Sequence, residues 1–177
     1  MTSKRLLANI TRVPTVPPAR SWSRMAPQEM RSLSTLGRAD YTDFFSASIP
    51  PGQQKSAEGW ARQTLDVSSG SLRGLAVAVQ RAVLGLRLEP DDPKRILGWE
   101  ISGQDEDWIR LSAASRLLGA ELVFRVANEQ LWVSTFLRYD RPPAALIWRL
   151  AKPAHRRVGL LMMDRAFRRR GSRPRRL

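Results

Sequence analysis

The chain contains no cysteine. That excludes disulfides, thiolate metal sites and thiol nucleophiles. Among its 177 residues there is one histidine, His155, so neither a histidine metal cluster nor a Cys/His pair can be assembled. No apolar run approaches the roughly 18 residues that span a bilayer as a helix. The P-loop, the Rossmann glycine fingerprint and the G-x-S-x-G nucleophile elbow are all missing, and no motif calls for a cofactor. Acid is scarce too, but only at the two ends. Residues 1–38 carry seven Lys/Arg against Glu29, and residues 150–177 carry ten against Asp164. Between them, 39–149 are close to neutral although the whole chain stands at +14. A nucleic-acid-binding domain usually wears its basic stripe on the fold itself, so this charge reads as a property of the ends.

What is present suits one soluble domain with tails. Apolar residues make up 42% and charged residues 26%, the balance of a globular protein with a core of its own. Residues 1–38, with Pro14, Pro17 and Pro18, several serines and no apolar period, read as a disordered basic leader. Their basic, Ser-rich, acid-poor composition is also that of a mitochondrial transit peptide, but a plain leader is favoured, or a start at Met25 or Met30. No secretory apolar region follows the basic start, and a cytoplasmic protein is expected.

Order is expected from residue 39 onwards. "DYTDFFSASIPPG" offers an aromatic strand through Tyr41, Phe44, Phe45 and Ile49, stopped by Pro50-Pro51-Gly52. A helix follows in "SAEGWARQTLD", with Ser56 as N-cap and Ala57, Trp60, Ala61 and Thr64 on one side. The strongest helical period lies in "SLRGLAVAVQRAVLGLR", where Leu72, Leu75, Ala76, Val79, Ala82, Val83 and Leu86 make one stripe despite Gly74 and Gly85. From 96 to 139 the period is two. "ILGWEISG", "DWIRLSAAS", "LLGAELVFRVA" and "QLWVSTFLRYD" are four strands with short turns, the last at Asn128-Glu129: an antiparallel meander. Neither face of the fourth strand is purely polar, so a cover on both sides is expected. Pro142 and Pro143 open a final helix, and Pro153 should kink or divide it.

The order of strand, helix pair, antiparallel meander and long C-terminal helix is that of the helix-grip fold. Three stretches carry the likeness: "DYTDFFSASIPPG", "SSGSLRGLAVAVQRAVLGL" and "TFLRYDRPPAALIWRLAKPAHRRVGLLMMDRAFRR". On them the chain resembles the START / polyketide cyclase-like superfamily, over roughly residues 40–169, and within it a bacterial branch of unknown function. Where most of that superfamily has six strands between the helix pair and the last helix, four are placed here. The resemblance implies an α+β domain over 39–169, a curved antiparallel sheet wrapped around the last helix, flanked by the 1–38 leader and a basic tail at 170–177. It further implies a cavity for an apolar or amphipathic small molecule, with enzymes of the cyclase or aromatase type a minority.

Apolar pockets are walled mainly by aromatic and aliphatic side chains with few polar groups. The candidates for such a wall are Trp99, Leu111, Phe124, Val133, Phe136, Trp148 and Met162, with Thr135, Arg138 and Tyr139 able to orient a ligand. No catalytic residue and no metal ligand is assigned. His155, in the first turn after Pro153, is expected to cap or pack, and Asp105, Glu106 and Asp107 read as a solvated turn without calcium-loop spacing. In 154–167, Val158, Leu161 and Met162 are expected to face the core and the arginines to face water. Arg168, Arg169, Arg170, Arg173, Arg175 and Arg176 suit weak, non-specific contact with an anionic membrane or nucleic acid. No aromatics are interleaved there to stack on bases. A second class of function therefore stands beside ligand binding: a peripheral interaction protein docking on anionic membrane or RNA through its basic termini.

Overall fold

The structure, a computed structural model, describes residues 20–65, 85–86 and 93–168. Seven strands form one antiparallel sheet: β1 (Arg20–Ser23), β2 (Tyr41–Ser48), β3 (Arg95–Ile96), β4 (Trp99–Gln104), β5 (Trp108–Ala114), β6 (Leu118–Ala127) and β7 (Gln130–Tyr139). Their order across the sheet is β1-β2-β7-β6-β5-β4-β3. After β2 the chain crosses to the far edge, then meanders back strand by strand until β7 lies against β2. Three helices accompany the sheet among the described residues: α1 (Gln28–Arg31), α2 (Ala57–Leu65) and α3 (Pro143–Arg168). The α+β class is as expected.

The turns explain the register. Ile96 pairs with Trp99 and Ala127 with Gln130, leaving two-residue loops at Leu97-Gly98 and Asn128-Glu129. All four loop residues have positive φ, from 50° to 81°, as a type I′ hairpin turn requires in order to match the strand twist. The second turn was legible in the sequence. The first splits what reads as one strand, "ILGWEISG", into β3 and β4, so among the described residues five strands rather than four lie between α2 and α3. At the start of α2, Ser56 Oγ accepts a hydrogen bond from the Gly59 N–H at 3.1 Å, the expected cap. Of the long helix expected over 71–87, only Gly85 and Leu86 are described. Gly85 has φ 62°, a left-handed conformation, so no helix continues through it.

Alternation along the strands sorts the core into two. On one face, Phe45, Ile109, Leu111, Leu118, Leu131 and Leu137 pack with Trp60, Ala61, Trp148, Met163 and Phe167 of α2 and α3. On the other, Val123 and Phe136 pack with Ala26 and Met30, edged by Leu33, Leu36, Phe44 and Trp132. The cover on both sides of β7 is therefore real, and its second half comes from residues 24–36.

This corrects the expected leader. The fold includes residues 20–38: β1 pairs with β2 from Arg20↔Ala47 to Ser23↔Phe44, and 24–38 straps the outer face of the sheet. Its apolar contacts are too few and too widely spaced to show as a period. Polar groups hold it as well. Buried Glu121 accepts from Ser34 Oγ at 2.6 Å and from Thr35 Oγ1 at 2.6 Å. Arg110 Nη1 donates to the Leu33 carbonyl at 2.7 Å, and Arg125 pairs with both Glu29 and Asp107 at 3.0 Å. Residues 1–19 and the tail 170–177 lie outside the described residues. Of the two expectations for Pro153, division of the final helix is not seen: α3 runs as one element through it.

Candidate functional site

Between the inner face of the sheet, α2 and α3 lies a cavity of about 200 Å³. Inward-facing strand positions supply its floor: Phe45 on β2, Trp99 on β4, Ala120, Leu122 and Phe124 on β6, and Val133, Thr135 and Leu137 on β7. Helix α3 supplies the roof through Trp148, Ala151, His155, Val158, Gly159 and Met162. Small residues on the roof leave room that larger ones would take. A Cβ added at Gly159 would stand 3.2 Å from the Phe45 ring, closer than ordinary packing. Compared with the roughly 150 Å³ apolar cavity that admits a benzene ring in an engineered protein, this space is somewhat larger.

The wall is overwhelmingly apolar, so its polar groups stand out. Thr64 Oγ1 and Trp148 Nε1 are buried and have no hydrogen-bond partner. Each such group costs about 1–3 kcal/mol when water is removed and nothing replaces it. The third polar feature is a cluster. Asp43 and Thr135 are direct neighbours in the β2–β7 register, both on the inner face, and His155 reaches down to them from α3. His155 Nε2 lies 3.1 Å from Asp43 Oδ2 and 3.3 Å from Thr135 Oγ1. Tyr41, two residues before Asp43 on the same face, donates its hydroxyl to the same Oδ2 at 2.8 Å. The Asp43 side chain is wholly buried, whereas His155 keeps 26% of its side chain exposed.

This arrangement fixes roles. Asp43 Oδ2 accepts from the Tyr41 hydroxyl and from the Nε2–H of His155. Because Asp43 and Thr135 meet the same ring nitrogen, the cluster is not a hydroxyl–histidine–carboxylate relay, which needs the two nitrogens to serve different partners. The Tyr41 phenol is held well above its ordinary range, first by burial and then by the Asp43 charge and hydrogen bond, against an opposing pull from Arg156. It is a fixed donor. Among the described residues no cluster of His, Asp and Glu is placed to hold a metal.

Of the residues expected in the pocket, Trp99, Phe124, Val133, Thr135, Trp148 and Met162 line the cavity. Four do not. Leu111 is buried in the same core without reaching the space, and Tyr139 packs at its edge. Phe136 and Arg138 lie on the opposite face, Phe136 against Met30 and Ala26 and Arg138 paired with Asp140 at 2.8 Å. Alternation on β7 did not tell which face was inward, and the inner set is Leu131, Val133, Thr135, Leu137 and Tyr139. Leu161, expected to face the core, is 48% exposed. Arg168 is exposed and pairs with Asp164 at 3.1 Å. Arg169, Arg170, Arg173, Arg175 and Arg176 lie outside the described residues. His155 was expected to cap or pack at the surface, and instead it is part of the cavity wall. Asp43 was not singled out, although its signal was there: Tyr41, Asp43, Phe45, Ala47 and Ile49 alternate inward, so an acid occupied a core position.

The chain matches no protein-family model and no curated protein. Among solved structures, it is similar to the protein of unknown function PA94 from Pseudomonas aeruginosa, at 14% identity, over 92% of this chain and 88% of that one, with a TM-score of 0.23. A likeness that weak carries no argument about fold or function.

Proposed function

We propose that this protein binds a small molecule with an apolar body and one polar group in the cavity beneath α3, in a helix-grip arrangement of the START / polyketide cyclase-like kind. The observation that carries the reading is an apolar space of about 200 Å³ with the side chains of Thr135 and His155 in its wall. A void in a core is destabilising in proportion to its size, and a bound apolar body relieves that cost. The Thr135 hydroxyl can donate or accept, and the His155 ring can meet a polar group of the ligand. The seven-stranded antiparallel sheet with its long C-terminal helix supports the helix-grip reading, and fold alone would not license the function.

The test is uptake of a fluorescent apolar probe, with native mass spectrometry of the purified chain for a co-purifying small molecule. Wild type should take up the probe, and Thr135→Trp should take up markedly less while remaining folded, because the added ring fills space that is open. Filling an already dense core would instead cost about 1–3 kcal/mol. A wild-type chain that neither takes up the probe nor carries a small molecule defeats the proposal.

A further inference from the structure

We propose that the outer side of α3 is a docking surface for anionic lipid bilayers. Leu146, Leu150, Pro153, Arg157, Leu160 and Leu161 recur at steps of three and four, with the last two adjacent. They form one stripe on the side of the helix away from Trp148, His155 and Met162. The leucines of this stripe are 59%, 73%, 38% and 48% exposed, in chain order. Among the described residues they are four of the five exposed large apolar side chains, and the fifth, Met25, is also aliphatic. A face that only met water would have no use for them.

Along one flank of the stripe lie Arg149, Lys152 and Arg156, again at steps of three and four. Arg24 belongs to the same group, since its charge and that of Arg156 help to push the Lys152 ammonium down from its ordinary range, after burial itself. Two of these cations rest on rings. Lys152 Nζ stands 5.2 Å from the Tyr41 ring centroid, and the Arg156 guanidinium 4.0 Å from that of Trp22. The one acid in α3, Asp164, is engaged by Arg168.

The chemistry of the stripe selects the occupant. Aliphatic side chains interleaved with Arg and Lys suit the boundary of acyl chains and headgroups, where leucine enters the apolar layer and cations meet lipid phosphates. Single-stranded RNA is bound by stacking on aromatic faces, and the exposed apolar residues include none. A second copy seated on this face would bring the same cations together. A protein partner would meet lysine where interface cores are depleted of it. Aliphatic exposure and uncompensated positive charge therefore point together to an anionic membrane surface.

The experiment is co-sedimentation of the full chain with vesicles of phosphatidylcholine alone or of equal parts phosphatidylcholine and phosphatidylglycerol. Wild type is expected to bind the mixed vesicles at least about tenfold more tightly than the neutral ones. Two double variants, Leu146→Gln/Leu150→Gln and Arg149→Gln/Lys152→Gln, should each weaken that binding about tenfold with an unchanged far-ultraviolet spectrum. Uptake of the apolar probe should persist in the leucine variant, which separates this surface from the cavity. The proposal is overturned if wild type ignores the mixed vesicles. It is equally overturned if the leucine variant binds them as wild type does, which would leave the basic ends responsible, or if the leucines serve self-association in the absence of lipid.

Discussion

Replacing Glu121 by alanine tests whether the strap over the outer face is part of the fold. Glu121 is 2% exposed and accepts from Ser34 Oγ, Thr35 Oγ1 and the Thr35 N–H at 2.6, 2.6 and 3.1 Å. Arg110 approaches it only to 3.9 Å, so the hydrogen bonds rather than the ion pair should dominate. Bonds to a charged acceptor are worth about 1.5–3 kcal/mol each, and those sharing one carboxylate do not add. Removing one partner of a buried charged cluster costs about 3–5 kcal/mol, because Arg110 keeps its charge in a half-buried site. The lower figure is expected here, since Arg110 retains the Leu33 carbonyl and Ser102. A loss of about 3 kcal/mol in a domain of this size corresponds to a fall in Tm of about 6–12 °C. Urea unfolding of Glu121→Ala, of Ser34→Ala/Thr35→Ala and of the combined variant closes a cycle. The combined loss should be well below the sum of the separate ones. A loss under about 1 kcal/mol for Glu121→Ala, or strict additivity across the cycle, would refute the reasoning and return 24–38 to the status of a leader.

Two further outcomes follow from the inner face. Both tyrosines of the chain are held above their ordinary range: Tyr41 by burial and then by Asp43, and Tyr139 by burial and then by Asp40. Alkaline difference absorbance should therefore show little phenolate near pH 10, where free tyrosines are about half ionised. The raised pKa means that the folded state keeps these protons longer than the unfolded one. Their contribution is thus complete below pH about 10 and is lost as pH rises beyond it, and ionisation of both tyrosines near pH 10 in the folded chain would contradict this. Truncating Phe124, 1% exposed and in the cavity wall, to alanine should cost about 3–5 kcal/mol and increase uptake of the apolar probe. Unchanged uptake would mean that the probe sits elsewhere.

Much of the sheet was readable because period two is strong wherever one face is core. β5, β6 and β7 fall within a residue or two of their sequence-based bounds, and Asn128-Glu129 sits in its turn. Leu97-Gly98 was hidden because a leucine beside a glycine, both buried, reads as strand interior until positive φ at both is known. The strap was hidden for a different reason. Its attachment depends on side chains 86 or 87 residues away in sequence, Ser34 and Thr35 on Glu121, and no local pattern records a contact of that range.

The same distinction governs the site. Six of the ten pocket candidates line the cavity, because an apolar wall is a matter of residue type. Phe136 and Arg138 were misplaced because β7 is apolar on both faces, so hydrophobicity could not choose between them. The polar cluster needed three separate pieces of chain. Asp43 and Thr135 are brought together by β2 lying beside β7, at the point where the long crossover returns, and His155 arrives only when α3 is laid over that pair. Yet a necessary part of the inference was local. A carboxylate at an inward strand position is costly unless it is paired. Asp43 in "DYTDFFSAS" thus required a buried donor from elsewhere, and Tyr41 on the same face supplies only one. The rule that buried charge must find partners calls for a further donor, and the packing of α3 over β2 and β7 makes that donor His155 rather than one of the 30 Lys and Arg.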